Sequence, residues 1–143
     1  MAAFAWLKRE YLLGRRTRPT ICEACGQDQG TIMAHSEDYS SPYGDHIGRF
    51  SLCFRCHMMV HSRGRSSAAF WHYVRQLEDG WVYPGLTWRE GFNAIRRDRS
   101  WRPTAAPPAG SVKHERPLGD PSVLRRIADG AYKPGQPDIT LFG

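Results

Sequence analysis

The sequence of 143 residues contains only four cysteines and no long apolar run, and its acidic residues are fewer than its basic ones. No stretch approaches the roughly 20 apolar residues that a membrane-spanning helix needs. The N-terminal residues also lack the charged start and sustained apolar segment of an export signal. We therefore expect a cytoplasmic protein without a membrane partner, in a reducing compartment where thiols stay free.

The shortage of acidic side chains leaves a net positive charge. Twenty lysines and arginines face fourteen aspartates and glutamates, which gives a formal net charge of +6. Such a charge favours a polyanionic partner through release of counterions, although it does not distinguish DNA from RNA. A chain of this length has a modest core, which bound zinc can reinforce because its binding free energy adds to the folding free energy.

The cysteines form two C-x-x-C pairs, Cys22 with Cys25 and Cys53 with Cys56. Four thiolates at this spacing suit tetrahedral zinc. Disulfides are disfavoured because no export signal is seen, and a thioredoxin-like redox motif would need an alternating strand and helix pattern that the sequence lacks. The sequence therefore predicts a structural zinc held by these four cysteines.

Four histidines lie between or beside the cysteine pairs, namely His35, His46, His57 and His61. His57 and His61 are four residues apart, so in a helix over residues 54–62 both imidazoles would project from one face and could share a metal. If this pair stood alone, the better interpretation would be that one histidine lies on the surface and the other packs near the cysteines, without a metal. His35, between the cysteine pairs, favours metal binding instead.

Three motifs follow one another in a fixed order: C-E-A-C at residues 22–25, A-H-S-E-D-Y-S at 34–40 and L-C-F-R-C-H-M-M-V-H at 52–61. In this order they resemble the HNH nucleases of the ββα-metal class, especially a phage and bacterial branch. The resemblance covers the central residues and neither end of the chain. It implies an α+β fold with a ββα-metal core and a four-cysteine zinc knuckle, surrounded by helices and an irregular C-terminal tail.

The resemblance also implies a function, namely a metal-dependent endonuclease that hydrolyses phosphodiester bonds in DNA. It places His35 at the position of the family's first metal ligand, and His57 and His61 at the positions of the other two. The ion would be magnesium, manganese, nickel or zinc, and it would stabilise charge on the scissile phosphate. Many small nucleases need two copies to cut both strands, so a homodimer is possible. The sequence does not identify an interface for it.

The sequence departs from the family at Ser36, where a histidine usually removes a proton from the attacking water. A serine hydroxyl is a poor base at neutral pH. The first alternative is His46, with Asp45 holding its tautomer. Glu37 or Asp38 could act instead, although carboxylates are weaker proton acceptors. The other hypothesis is that catalysis is lost and the chain is a zinc module that binds nucleic acid or protein.

Arginines surround the proposed site in the sequence and are candidates for phosphate contact, because a guanidinium pairs bidentately with phosphate. These candidates are Arg49, Arg55, Arg63 and Arg65. The alternative is an ordinary solvated face. A second arginine run at residues 89–102 is interleaved with aromatic residues and favours neither interpretation.

Hydrophobic periodicity and capping signals predict helices around the metal-binding residues. The first, at residues 3–15, should place Phe4, Leu7 and Tyr11 on one side, with Leu12 as a further candidate, and should pack on the zinc knuckle. Further helices are predicted at residues 66–78, 87–97 and 123–129. We predict one domain over residues 1–99, followed by a linker and tail over residues 100–143.

Overall fold

The computed structural model describes residues 2–97 and 106–130, which contain five helices and four short strands. In chain order the elements are α1 (Ala2–Leu12), β1 (Ile32–His35), β2 (Phe50–Cys53), α2 (Phe54–Ser62), α3 (Ser67–Glu78), β3 (Trp81–Val82), α4 (Trp88–Arg97), β4 (Val112–Lys113) and α5 (Ser122–Ala128). The predicted α+β class is confirmed. None of the helices in these ranges is long and apolar enough to cross a membrane.

The central feature is an antiparallel hairpin followed at once by a helix. Strands β1 and β2 pair from Ile32 opposite Cys53 to His35 opposite Phe50. Helix α2 begins at Phe54, directly after the last residue of β2. With no loop between them, the strand fixes the position of the helix and of every side chain in its first two turns.

The core surrounds the cysteines. All four cysteines belong to one cluster of buried residues, together with apolar side chains from β2, α2, α3 and α5. Helix α3 contributes Phe70, Tyr73, Val74 and Leu77, and α5 contributes Val123, Leu124 and Ile127. Burying a large apolar side chain stabilises a fold by about 1.5–3 kcal/mol. These helices therefore close the core over the cysteine cluster.

Three of the predicted helices match the structure closely. Helix α3 begins at Ser67 with Ser66 at its N-cap, as predicted, and α5 begins and ends one residue earlier than predicted. At the start of α4, the Thr87 backbone N–H donates to the Glu90 carboxylate at 2.9 Å and the Glu90 N–H donates to the Thr87 hydroxyl at 3.1 Å. This reciprocal pair is the predicted capping box.

Helix α1 differs from the prediction. Phe4 and Leu12 are 66% and 75% exposed, and the residues of α1 that are buried are Ala3, Leu7 and Glu10. Glu10 is accommodated because its carboxylate pairs with Arg15 at 2.7 Å. The helix packs on Ile47, in the loop between β1 and β2, and not on the zinc knuckle. The expected packing partner was therefore wrong.

Part of the predicted linker is held against the core. Strand β4 pairs with β3, with Val82 opposite Val112, and the Asp120 N–H donates to the Glu23 carbonyl at 2.7 Å. Helix α5 follows and contributes to the core. Residues 98–105 and 131–143, which include parts of the predicted linker, second arginine run and tail, lie outside the described residues.

Helix α4 lies so close to α2 that Gly91 has no room for a side chain, because an added Cβ would overlap the ring of Phe54. In Gly91→Ala, overlap with the Phe54 ring should cost about 1–3 kcal/mol. Alanine gains at most ~1 kcal/mol of helix propensity over glycine. We therefore predict that the substitution lowers the free energy of unfolding. Urea unfolding monitored by circular dichroism measures the difference.

Gly64→Ala is the matched control, because an added Cβ there has nothing within 4 Å. Its effect on the free energy of unfolding should stay within about 0.5 kcal/mol. Equal unfolding midpoints for the two variants would contradict close packing of α4 on α2.

Candidate metal centres

The four cysteines meet at one point of the core. Cys22 and Cys25 lie in the turn before the hairpin, Cys53 ends β2, and Cys56 lies in the first turn of α2. All four are free and buried, and their sulfur atoms lie within 4.8 Å of one another. The Cys25 and Cys53 sulfurs are 3.7 Å apart, and a tetrahedron with metal–sulfur bonds of ~2.3 Å has edges of about 3.8 Å. The predicted cysteines are therefore placed to hold a zinc ion.

Backbone hydrogen bonds shape the knuckle that carries the first two cysteines. The Cys22 N–H donates to the Gln27 carbonyl at 2.8 Å, and the Gly26 N–H donates to the Cys22 carbonyl at 2.9 Å. Gly26 has a φ of 82°, which favours glycine. The Glu23 N–H donates to the Ser51 carbonyl at 2.8 Å and joins the knuckle to β2.

The electrostatics of the cluster call for a cation. Hydrogen bonds from the other three thiols lower the pKa of Cys22. The hydrogen bond with Cys22 raises the pKa of Cys25, and burial raises that of Cys56. One thiolate thus suppresses ionisation of its neighbours, and four thiolates in this buried space need a bound positive charge.

Tyr73 of α3 is a polar neighbour of the cluster that the sequence did not identify. Burial raises the pKa of its phenol, and the hydroxyl oxygen lies 3.0 Å from the Cys56 sulfur, within hydrogen-bond distance. Such hydrogen bonds orient metal ligands and stabilise thiolates. The available signal was a hydroxyl at a core position of a helix, three residues after Phe70 and four before Leu77.

The three histidines form a second group. His35 ends β1, and His57 and His61 lie one turn apart on α2, as the spacing predicted. Their ligand nitrogens lie within 4.8 Å of one another, and the Nε2 atoms of His57 and His61 are 2.9 Å apart. His35 is buried whereas His61 is exposed. The three histidines can therefore hold a metal ion between a buried ligand and an exposed one, and the exposed side of the group is accessible to solvent.

A carboxylate orients the innermost histidine. The Nε2 atom of His35 and Oε2 of Glu37 are 2.6 Å apart, and Arg63 donates to Oε1 of the same carboxylate at 2.7 Å. Since the carboxylate accepts, Nε2 of His35 carries a proton, and Nδ1 is the nitrogen that would ligate a metal. That Nδ1 is buried without a hydrogen-bond partner among the described residues. A carboxylate behind an imidazole whose other nitrogen lacks a partner suits a metal ligand.

The protonation states agree with this arrangement. Burial acts to raise the pKa of Glu37, but the hydrogen bond with His35 and the charge of Arg63 bring it below its usual value. Burial lowers the pKa of His57 to about 3, assisted by His35 and His61. Desolvation also lowers the pKa of His61. Neutral imidazole is the form that binds metals.

The candidate bases lie in the loop between β1 and β2. The Ser36 hydroxyl accepts the Gly48 N–H at 2.6 Å, so this buried serine holds the loop. His46 Nε2 lies 2.7 Å from the Ser40 carbonyl and donates to it. Among the described residues, His46 does not belong to the three-histidine cluster. Asp38 accepts the Ser40 N–H at 2.9 Å and caps that turn.

The four arginines expected to contact phosphate have different surroundings. Arg63 is bound to the carboxylate beside His35, and Arg65 is exposed in the turn after α2. Arg55 donates to the Pro84 carbonyl at 3.3 Å, and the Arg49 guanidinium lies over an aromatic ring of β2. Contact of these arginines with phosphate stays a prediction.

A cleft of about 830 Å³ opens beside the histidines. We call it the histidine cleft; its walls come from α1, β1 and α2, with Trp88 at the start of α4. Its lining includes Phe4, Lys8, Tyr11, Arg18, Tyr39 and Trp88, together with His57 and His61. A smaller cavity of about 500 Å³ shares Tyr39 and His61 with it and includes His35, Glu37 and Arg63. The histidine group thus borders two cavities.

Comparison of the chain with protein-family models, with curated proteins and with solved structures finds no match. The fold and the two clusters define a small α+β protein that brings four cysteines and three histidines into separate groups. Its function is inferred from the geometry of these groups and from the order of the motifs that carry them.

The two groups should respond differently to substitution. Cys56→Ser removes a buried ligand, and we expect loss of the bound zinc together with the near-ultraviolet circular dichroism of the folded core, because structural zinc contributes to folding free energy. His61→Ala, at an exposed position, should keep both. Elemental analysis of purified variants measures the zinc. A Cys56→Ser protein that folds with a full zinc complement would contradict the four-cysteine site.

Proposed function

We propose that the protein is a metal-dependent endonuclease of the HNH type that hydrolyses phosphodiester bonds in DNA. The observation that carries the proposal is the convergence of three imidazoles from the end of β1 and from α2, and the strand, strand, helix order is the one that a ββα-metal core would have. The neighbouring cysteine cluster and the positive net charge support it.

His35, His57 and His61 would hold the catalytic divalent ion, which would be magnesium, manganese, nickel or zinc. When bound, such an ion supplies charge stabilisation at a scissile phosphate. The three side chains give a ligand set with one buried member and one exposed member. The exposed side leaves access for a phosphate and for water.

Glu37 acts as a positioning residue in this proposal. Both of its carboxylate oxygens are engaged, one by His35 and the other by Arg63. A carboxylate in that state is poorly placed to take a proton from water, whereas it fixes the ring orientation of His35. Arg63 in turn fixes the Glu37 carboxylate, so in this proposal Arg63 first orients the metal site and is not primarily a phosphate contact.

His46 remains the first candidate for the base. Its Nε2–H donates to the Ser40 carbonyl, so Nδ1 of the neutral ring carries the lone pair that could accept a proton. The tautomer is thus held by Ser40, whereas the sequence had suggested Asp45, which lines a separate polar cavity with Arg49. Ser36 is occupied by the Gly48 N–H and is a structural residue in this proposal.

The second candidate function is a non-catalytic zinc module that binds nucleic acid or protein. One observation favours it: Ser36 stands where the family places its base and is committed to a backbone hydrogen bond. A binding module would keep the four-cysteine zinc and need no ion at the histidines.

Nicking of supercoiled plasmid by the purified protein, with magnesium, manganese, nickel or zinc added in turn, tests the proposal. We expect cutting with at least one metal and its loss in His57→Ala. If His46 is the base, His46→Ala should reduce the rate by about 10²–10⁴-fold. His72→Ala, on α3, is the matched control and should cut at the native rate. The proposal would be contradicted if none of the metals supported cutting, or if His57→Ala cut as fast as the native protein.

Glu37→Gln separates positioning from base catalysis. A positioning role predicts about 10–100-fold weaker affinity for the catalytic metal, with the rate restored at saturating metal and an unchanged pH profile. A base role predicts a rate that stays low at saturating metal and a pH profile that loses its acidic limb. Metal titrations of the nicking rate at several pH values distinguish the two outcomes.

A further inference from the structure

The rim of the histidine cleft carries aromatic side chains that are unusually open to solvent. Phe4 is 66% exposed, Trp88 51% and Tyr39 46%, and all three line the cleft. They come from α1, from the start of α4 and from the loop after β1. Exposed apolar groups gathered around one concavity mark a binding surface more often than scattered ones do.

Trp88 is held firmly although half of it is exposed. Its ring packs edge-on against Phe92 at 4.7 Å and Phe54 at 6.1 Å between ring centres. Its backbone N–H donates to the Thr31 hydroxyl at 2.8 Å. An aromatic face that is already fixed loses little conformational entropy when a flat ligand stacks on it.

Basic side chains accompany the rings inside the cleft. The Arg18 guanidinium lies 4.8 Å from the centre of the Tyr11 ring, and Lys8 lines the same wall of α1. Across the cleft stand His57 and His61. Rings next to cations, in a groove that can follow a phosphate backbone, are the features by which proteins bind single-stranded nucleic acid.

We propose that the histidine cleft binds unpaired nucleotides, with bases stacked on its aromatic rim and phosphates directed to Lys8 and Arg18. The proposal rests on the proposed function for its polyanionic substrate and narrows that substrate to unpaired strands or unpaired positions in a duplex. A paired duplex keeps its bases stacked inside, where Trp88 and Tyr39 cannot reach them. Single-stranded DNA and RNA share the recognised chemistry.

The test is binding of the full, zinc-loaded protein to short labelled oligonucleotides, measured by fluorescence anisotropy without other added divalent metal. The probes are a single-stranded DNA, the matching single-stranded RNA and the paired DNA duplex. We expect at least one single strand to bind about tenfold more tightly than the duplex. Trp88→Ala and Tyr39→Ala should each weaken that binding about tenfold.

Two further variants keep the test sharp. Trp88→Phe retains an aromatic face and should bind nearly as the native protein does, even if Trp88→Ala disturbs α4. Leu118→Ala removes an exposed apolar side chain that does not line the cleft, and should leave affinity unchanged. Duplex binding as tight as single-strand binding, or single-strand affinity unaffected by Trp88→Ala and Tyr39→Ala, overturns the proposal.

Failure of this proposal can be told apart from failure of the nuclease proposal. Binding is measured without the catalytic ion, so single-strand affinity that depends on Trp88 supports the cleft even if no metal yields cutting. Conversely, plasmid nicking that depends on His57 can occur while Trp88→Ala and Tyr39→Ala leave single-strand affinity unchanged. That result supports the nuclease proposal and overturns the proposal for the histidine cleft. Tighter binding of either the DNA or the RNA strand identifies the source of the nucleotides.

Discussion

Four buried sulfur atoms are the constraint on which the rest of this structure depends. Their mutual distances fit one tetrahedral ion, and four buried thiolates need a bound positive charge. The cysteines come from the knuckle, from the end of β2 and from α2. An ion there would fasten the knuckle to the junction of β2 and α2, beside the hydrogen bond from the Glu23 N–H to the Ser51 carbonyl. Apolar side chains from α3 and α5, with the hydroxyl of Tyr73, close the core around this point.

The hairpin transmits that constraint to the histidines. Because α2 begins directly after β2, the residues that place Cys56 in the core also place His57 and His61 on the accessible side of the same helix. His35 ends β1 opposite Phe50, so strand register decides its approach to α2. Glu37, two residues later and bound to Arg63, completes the site from the loop and from the end of the helix. The hairpin and α2 thus supply all three histidines and two of the four cysteines.

Local patterns predicted most of what is local. The C-x-x-C spacing, the helical histidine pair and the reciprocal signals of Thr87 and Glu90 depend on neighbours within four residues, and each has its expected geometry. What the sequence missed depends on long-range packing. Phe4 looked like a core residue by periodicity, but α1 buries Ala3 and Leu7 against Ile47 instead. The contact of Glu37 with Arg63 joins residues that are 26 positions apart, so no local pattern could predict it. The order in residues 106–119 comes from pairing with β3, which no local signal encodes.

We propose that the knuckle, the hairpin and α2 together form two metal sites of different kind. Anomalous X-ray diffraction from crystals of the zinc-loaded protein soaked in nickel or manganese tests this arrangement. We expect a zinc peak about 2.3 Å from the four cysteine sulfurs and a separate peak of the soaked metal about 2.0–2.2 Å from the nitrogens of His35, His57 and His61. Disulfides between the cysteines, or a soaked metal that never occupies the histidine group, would contradict it.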